Sequence, residues 1–171
     1  MAEQAGGRAG EARTGGCQCG AVRFRAEALS DNPHVCHCRM CQKAAGNLFG
    51  ARVGVMLRDL SWTRGEPARF HSSAGNARGF CRDCGTPLFF HHEESPRVSI
   101  SIGAFDRPGE IALAFELGVE GKLPQVAQLR SLESFGSTEE DDPEGAEHAR
   151  ATSRQHPDHD TDAWPPQGWG A

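Results

Sequence analysis

No stretch of this 171-residue chain approaches the about 20 consecutive apolar residues that a membrane-crossing helix requires. A helical membrane protein is therefore excluded. Lysine and arginine form no block, and 18 of them against 23 acidic residues leave a formal net charge of −5. The concentrated basic face of a nucleic-acid binder is missing. The opening stretch, MAEQAGGRAGEARTGG, carries no apolar core of the kind a secretory signal needs. The chain is thus expected to work in the cytoplasm, where thiols stay reduced. There is no internal repeat, so a solenoid or propeller is not in prospect.

What remains is an ordinary globular composition, 37% hydrophobic and 24% charged, in a length that suits one domain with a real core. Residues 1–14 lack any apolar period and read as a disordered leader. From Gly15 to about Leu117 the pattern is one of short strands. Val22 and Phe24 alternate with Arg23 and Arg25, and Val98-Ser99-Ile100-Ser101-Ile102 alternates cleanly. Leu48–Val55, Arg69–His71 and Pro87–Phe90 are also β-compatible, with Gly, Pro and Asn between them. Residues 15–118 therefore read as one mainly antiparallel β domain, and 119–171 as a helical and irregular C-terminal extension packing on it. In the extension, Val126, Leu129, Leu132 and Phe135 recur every three residues and predict one short amphipathic helix. Asp142-Pro143-Glu144 reads as the N-cap, first-turn proline and early acid of a second helix running toward Arg154.

The seven cysteines carry the chemistry. They fall as Cys17 and Cys19, then Cys36, Cys38 and Cys41, then Cys81 and Cys84. An odd number in a reducing compartment argues against a disulfide framework and toward metal or catalysis. In extended chain, residues i and i+2 share a face, so each C-x-C pair can offer two sulfurs to one ion. A C-x-x-C turn does the same, here followed by Gly85. Zinc suits thiolates without redox demands. Cys17, Cys19, Cys81 and Cys84 make up a closed four-ligand site, and Cys36, Cys38 and Cys41 are local enough to hold a second ion with its fourth position open. Other divisions stand beside this one. His34 shares the face of Cys36 and can close a Cys₃His site, an iron–sulfur cluster is also cysteine-bound, and the close triplet can serve redox chemistry. His37 alternates to the opposite face and is a candidate for holding a ligand in place or touching substrate.

Three segments together, Gly15–Phe24 (GGCQCGAVRF), Cys36–Gly46 (CHCRMCQKAAG) and Arg78–Leu88 (RGFCRDCGTPL), resemble the glutathione-dependent formaldehyde-activating (GFA) family, which includes centromere protein V. The resemblance runs from about Gly15 to Asp106. It implies a β-tent fold of small antiparallel sheets around zinc with short C-terminal helices, a structural zinc on Cys17, Cys19, Cys81 and Cys84, and a catalytic zinc on Cys36, Cys38 and Cys41. The tract Ser153–Thr161 is similar to an extension found in only a subset of the family.

The reaction so implied is that of a carbon–sulfur lyase, an S-(hydroxymethyl)glutathione synthase-like enzyme, acting on the adduct of formaldehyde or a related small electrophile with glutathione or another thiol. An ion already neutralised by three thiolates is a modest Lewis acid, which favours activation of the incoming thiol over polarisation of the aldehyde. His37, His71, His91 and His92 are candidates for a general base by residue type alone. Arg39, Lys43, Arg52 and Arg78 are the cations available to a carboxylate. His156 and His159, beside Asp158 and Asp160, read as a capped loop rather than a third metal site. The alternative function is a non-catalytic zinc module that presents a surface to a protein partner.

Overall fold

The computed structural model describes residues 11–166 and 169. In chain order the elements are β1 (Arg13–Gly16), β2 (Arg23–Ala26), β3 (His34–Cys36), α1 (Arg39–Ala45), β4 (Gly50–Met56), β5 (Leu60–Arg64), β6 (Ala68–Ser73), β7 (Asn76–Phe80), β8 (Pro87–His92), β9 (Arg97–Ser101), β10 (Phe115–Leu117), α2 (Gln125–Gln128), α3 (Thr138–Asp141) and α4 (Pro143–Thr152). Two sheets result. One has the order β1-β2-β5 and the other β10-β3-β4-β9-β8-β7-β6. The fold is mainly β, with a few short helices, as the strand pattern predicts. One pairing departs from the antiparallel expectation, because β10 returns to lie parallel to β3.

Register explains how the larger sheet divides its labour. Gly79, Phe89, Ile100 and Val53 stand opposite one another across β7, β8, β9 and β4, and so do Ala77, His91, Val98 and Val55. This face is the core side, and Val53, Val55 and Ile100 are fully buried. The alternate positions, one residue along in each strand, point the other way. They are Arg78, Phe90, Ser99 and Gly54, with Arg52 opposite Ser101 and His34 opposite Arg52. The second sheet closes over the core through Phe24, whose ring meets Trp62 and Phe105 edge-on at 5.9 and 5.1 Å. Burying a side chain of this size stabilises the fold by about 2–3 kcal/mol.

Several expectations are corrected here. Strand β1 starts at Arg13, so Arg13 and Thr14 belong to the sheet; residues 1–10 of the expected leader lie outside the described residues. Arg23 is not the exposed half of an alternating strand. It is buried, bonded in bidentate fashion to Asp106 at 2.8 and 2.6 Å, and its Nε donates to Asp160 at 3.0 Å. An arginine can take a core position when two carboxylates meet its planar donors. The three-residue period at 126–135 does not produce an amphipathic helix. After one turn at α2 and a further tight turn the chain extends, leaving Leu132 and Phe135 at 66% and 89% exposure. With nothing to bury those side chains against, the period has no physical consequence. The second helix forms where its cap predicts, with Asp142 accepting from the Gly145 amide at 3.0 Å and Pro143 in the first turn.

Candidate metal centres

Cys17 follows the end of β1, and Cys19 lies two residues on in a turn closed by Gly20 N donating to Cys17 O at 3.0 Å. Cys81 follows β7, and Cys84 sits in the turn before β8, closed by Gly85 N donating to Cys81 O at 3.0 Å. Gly85 takes φ = 77°, the left-handed conformation a side chain disfavours, which is why the turn after Cys84 calls for glycine. The two turns face each other, and their four sulfurs all lie within 4.8 Å of one another. All seven cysteines are free thiols. Cys17 and Cys19 are 3.6 Å apart at sulfur, and Cys19 and Cys81 are 3.8 Å apart. A tetrahedron with metal–sulfur bonds of about 2.3 Å has edges of about 3.8 Å, so the donor set fits a zinc ion. The Val22 amide donates to Cys17 Sγ at 3.2 Å, and the Thr86 hydroxyl lies 3.1 Å from Cys84 Sγ.

The second cluster forms where β3 runs into α1. Cys36 ends the strand, Cys38 caps the helix with extended backbone, and Cys41 lies in its first turn; these three sulfurs also fall within 4.8 Å of one another. The loop is held by a residue the sequence does not single out. Gln42 is buried, and its Nε2 donates to His37 O at 2.7 Å and to Gly121 O at 2.8 Å. His37 N donates to Leu117 O at 2.8 Å, so the chain after β10 straps the cysteine loop in place.

Within each cluster neighbouring sulfurs are shifted in opposite directions. Burial and neighbouring sulfurs push Cys36 up to about 12 and Cys81 up to about 11, and move Cys19 in the same direction. One sulfur in each set goes the other way. Burial opposes ionisation of Cys84, but hydrogen bonds from Thr86 and from backbone amides bring it to about 6. Burial likewise opposes ionisation of Cys41, and the charges of Arg52 and then the donors of Arg52 and Arg78 bring it to about 7. A bound divalent ion would offset the upward shifts of Cys36, Cys81 and Cys19 and favour their thiolates.

Both clusters border open volume, and they differ in how many of their sulfurs do so and in what lines it. Cys19 and Cys84 of the four-cysteine set edge a cleft of about 360 Å³ beside Trp164 and Pro165. Cys36, Cys38 and Cys41 line a cleft of about 450 Å³ whose floor is the non-core face of the larger sheet, with Arg52, Arg78, Phe90 and Ser99. The Arg52 Nη1 donates to Cys41 Sγ at 3.2 Å and Arg78 Nη2 lies 3.8 Å from the same atom. The guanidiniums stack over the Phe90 ring at 5.8 and 5.1 Å from its centroid. Arg39 instead bonds Gln42 Oε1 at 3.2 Å and Lys43 is exposed.

The histidine alternatives are resolved by position. His34 lines the cleft, but its Nδ1 faces Asn32 O at 2.8 Å, its ring stacks on Phe115, and neither ring nitrogen joins the sulfur cluster. His37 is 1% exposed, bonds Glu116 through Nε2 at 3.1 Å, and does not line the cleft. His71 pairs with Glu93, His91 with Ser95 O, and His92 with Gly75 O, and none of the three lines the cleft. His156 is buried in the loop expected of it, with Nδ1 against Pro157 O at 2.8 Å and Nε2 against Thr161 Oγ1 at 3.0 Å. It fills the hole left by Gly20, where a Cβ would stand 2.1 Å from its ring. Its segment lies across the four-cysteine turn, with His156 N donating to Gln18 O and Trp164 Nε1 to Cys19 O, each at 2.7 Å.

The family model described as glutathione-dependent formaldehyde-activating enzyme matches residues 12–118, a span holding all seven cysteines. A solved Rhodobacter sphaeroides protein is similar in fold, with a TM-score of 0.51 at 21% identity, over 60% of this chain and 98% of that one. No curated protein matches the chain in sequence. With the match covering more than half the chain and both cysteine clusters, the protein belongs to the glutathione-dependent formaldehyde-activating family.

Proposed function

We propose that the protein is a zinc-dependent carbon–sulfur lyase that forms or cleaves the adduct between a small thiol, such as glutathione, and formaldehyde or a related small electrophile. The observation that carries this reading is the inequality of the two clusters. Four sulfurs meet in a set that satisfies an ion completely, whereas three meet on the wall of a cleft of about 450 Å³. Three protein ligands beside open volume is the arrangement of a catalytic zinc site.

Cys36, Cys38 and Cys41 would hold the catalytic ion, and Cys17, Cys19, Cys81 and Cys84 the structural one. Bound zinc supplies a centre at which an incoming thiol is favoured as thiolate. The thiolate sulfur attacks the aldehyde carbon, the C=O π pair moves to oxygen, and that oxygen takes up a proton equivalent to the one the thiol released. Since the candidate histidines are engaged elsewhere, the proton travels through the water of the open cleft. Arg52 and Arg78 keep the sulfur wall from accumulating negative charge. The test is exchange NMR of glutathione and formaldehyde with the zinc-loaded protein. Adduct formation faster than the spontaneous reaction, lost in Cys38→Ala, is expected; equal rates with and without protein would remove the enzymatic reading. The exposed Leu132 and Phe135 favour the second reading, a zinc module that binds a protein partner, and that reading gives the arginine-floored cleft no task.

A further inference from the structure

Arg52 and Arg78 are 6% and 9% exposed, and among the described residues neither meets a carboxylate. A buried guanidinium is ordinarily paired. Both of these instead converge on one sulfur, Cys41 Sγ, and on one aromatic ring, Phe90, so two like charges share a small space beside the cluster. The hydrogen bonds to sulfur described for the four-cysteine cluster come from uncharged groups, the Val22 amide and the Thr86 hydroxyl.

The charges explain why the open cluster needs more. Three thiolates around a divalent ion leave one net negative charge, and an anionic fourth ligand would make it two. Such a ligand is repelled unless positive charge stands close by. Two guanidiniums turn the unliganded site net positive by one, and bring the site with four sulfurs to neutrality. We propose that Arg52 and Arg78 are positioning residues whose paired charge admits an anionic sulfur ligand as the fourth partner of the Cys36, Cys38 and Cys41 cluster and disfavours neutral ones. This inference rests on the open-site reading above and names the charge class of what enters it, a thiolate rather than a neutral carbonyl oxygen.

The test is calorimetric titration of zinc-loaded wild type, Arg52→Gln, Arg78→Gln and Arg78→Lys with 2-mercaptoethanol at fixed pH, with zinc content measured on each. Each glutamine variant should bind the thiol about tenfold to a hundredfold more weakly with both ions retained, the effect of one unit charge a few ångström from the bound sulfur. Arg78→Lys keeps the unit charge while losing the planar stack on Phe90, and should bind the thiol more tightly than Arg78→Gln. Undiminished affinity in both glutamine variants, or a lysine variant as weak as the glutamine one, would overturn the inference. A wild-type measurement guards against variants that do not fold. Added salt should weaken thiol binding to a net positive site, whereas a site without effective counter-charge would bind more tightly or unchanged as salt rises. Wild type that takes up no thiol at any salt would remove the open-site reading together with this one; binding that ignores the arginines removes this one alone.

Discussion

Replacing Cys81 with alanine should unfold the domain, while replacing Cys38 should leave it standing. Cys81 Sγ lies 3.8 Å from Cys19 Sγ across 62 residues of sequence, so the ion they would share closes a long loop as well as filling a coordination shell. Closing such a loop without the ion costs about 3.7 kcal/mol from (3/2)RT ln 62. Zinc binding by structural thiolate sites amounts to about 10–16 kcal/mol in small domains, against a total folding stability of about 5–15 kcal/mol. Loss of much of the first quantity is comparable to the whole of the second. Cys38, by contrast, caps a seven-residue helix that Gln42 ties to His37 O and Gly121 O without any sulfur. Zinc content by elemental analysis and thermal melting of both variants form the assay. Cys38→Ala should fall from two ions to one and melt within a few degrees of wild type, and Cys81→Ala should lose its cooperative melt. A folded Cys81→Ala with unchanged melting, or a Cys38→Ala that still carries two ions, would refute the division of roles.

Other consequences follow from particular contacts. Gly20→Ala places a Cβ 2.1 Å from the His156 ring at φ = 75°; it should cost about 1–3 kcal/mol and make the 153–164 segment more susceptible to limited proteolysis. Arg23→Met strands the buried Asp106 carboxylate and should cost about 3–5 kcal/mol in denaturant unfolding, with an equal cost in Asp160→Asn ruling out Asp106 as the main partner. Gln42→Ala leaves His37 O and Gly121 O without their donor and should cost about 1–3 kcal/mol, with faster loss of one zinc to a chelator. Burial, together with the nearby Arg23 and Arg64 charges, holds His156 below the ordinary histidine value of 6.5. Its contribution to stability is therefore full above that value and lost as pH falls through it toward the lower folded value. Denaturant midpoints of wild type should drop as pH falls through the ordinary histidine value of 6.5, and His156→Gln should show a shallower dependence.

The C-x-C and C-x-x-C spacings make each local sulfur group legible in the sequence, because ligands two or three residues apart reach one ion from a short stretch of backbone. That stretch is extended at Cys36 and Cys38 but turned at Cys17 and Cys19. Arg52 and Arg78 were visible only as two of several cations. Their selection over Arg39 and Lys43 follows from pleat and register, which set them on the cleft face of β4 and β7. Gln42 carried no sequence signal at all. Its importance lies in two backbone carbonyls, one five residues away and the other 79.

Residue spacing alone makes legible the number of sulfurs, their grouping as 17/19, 36/38/41 and 81/84, and the alternating strand that buries Val98 and Ile100. The packing of distant segments sets His34 aside from the sulfurs, makes Arg23 a core residue and places the three-cysteine set on the wall of a cleft. Local spacing constrains which atoms can share an ion. Burial of a charge, and access to a site, depend on partners brought from 83 residues away, as Asp106 is to Arg23, and no local pattern encodes them.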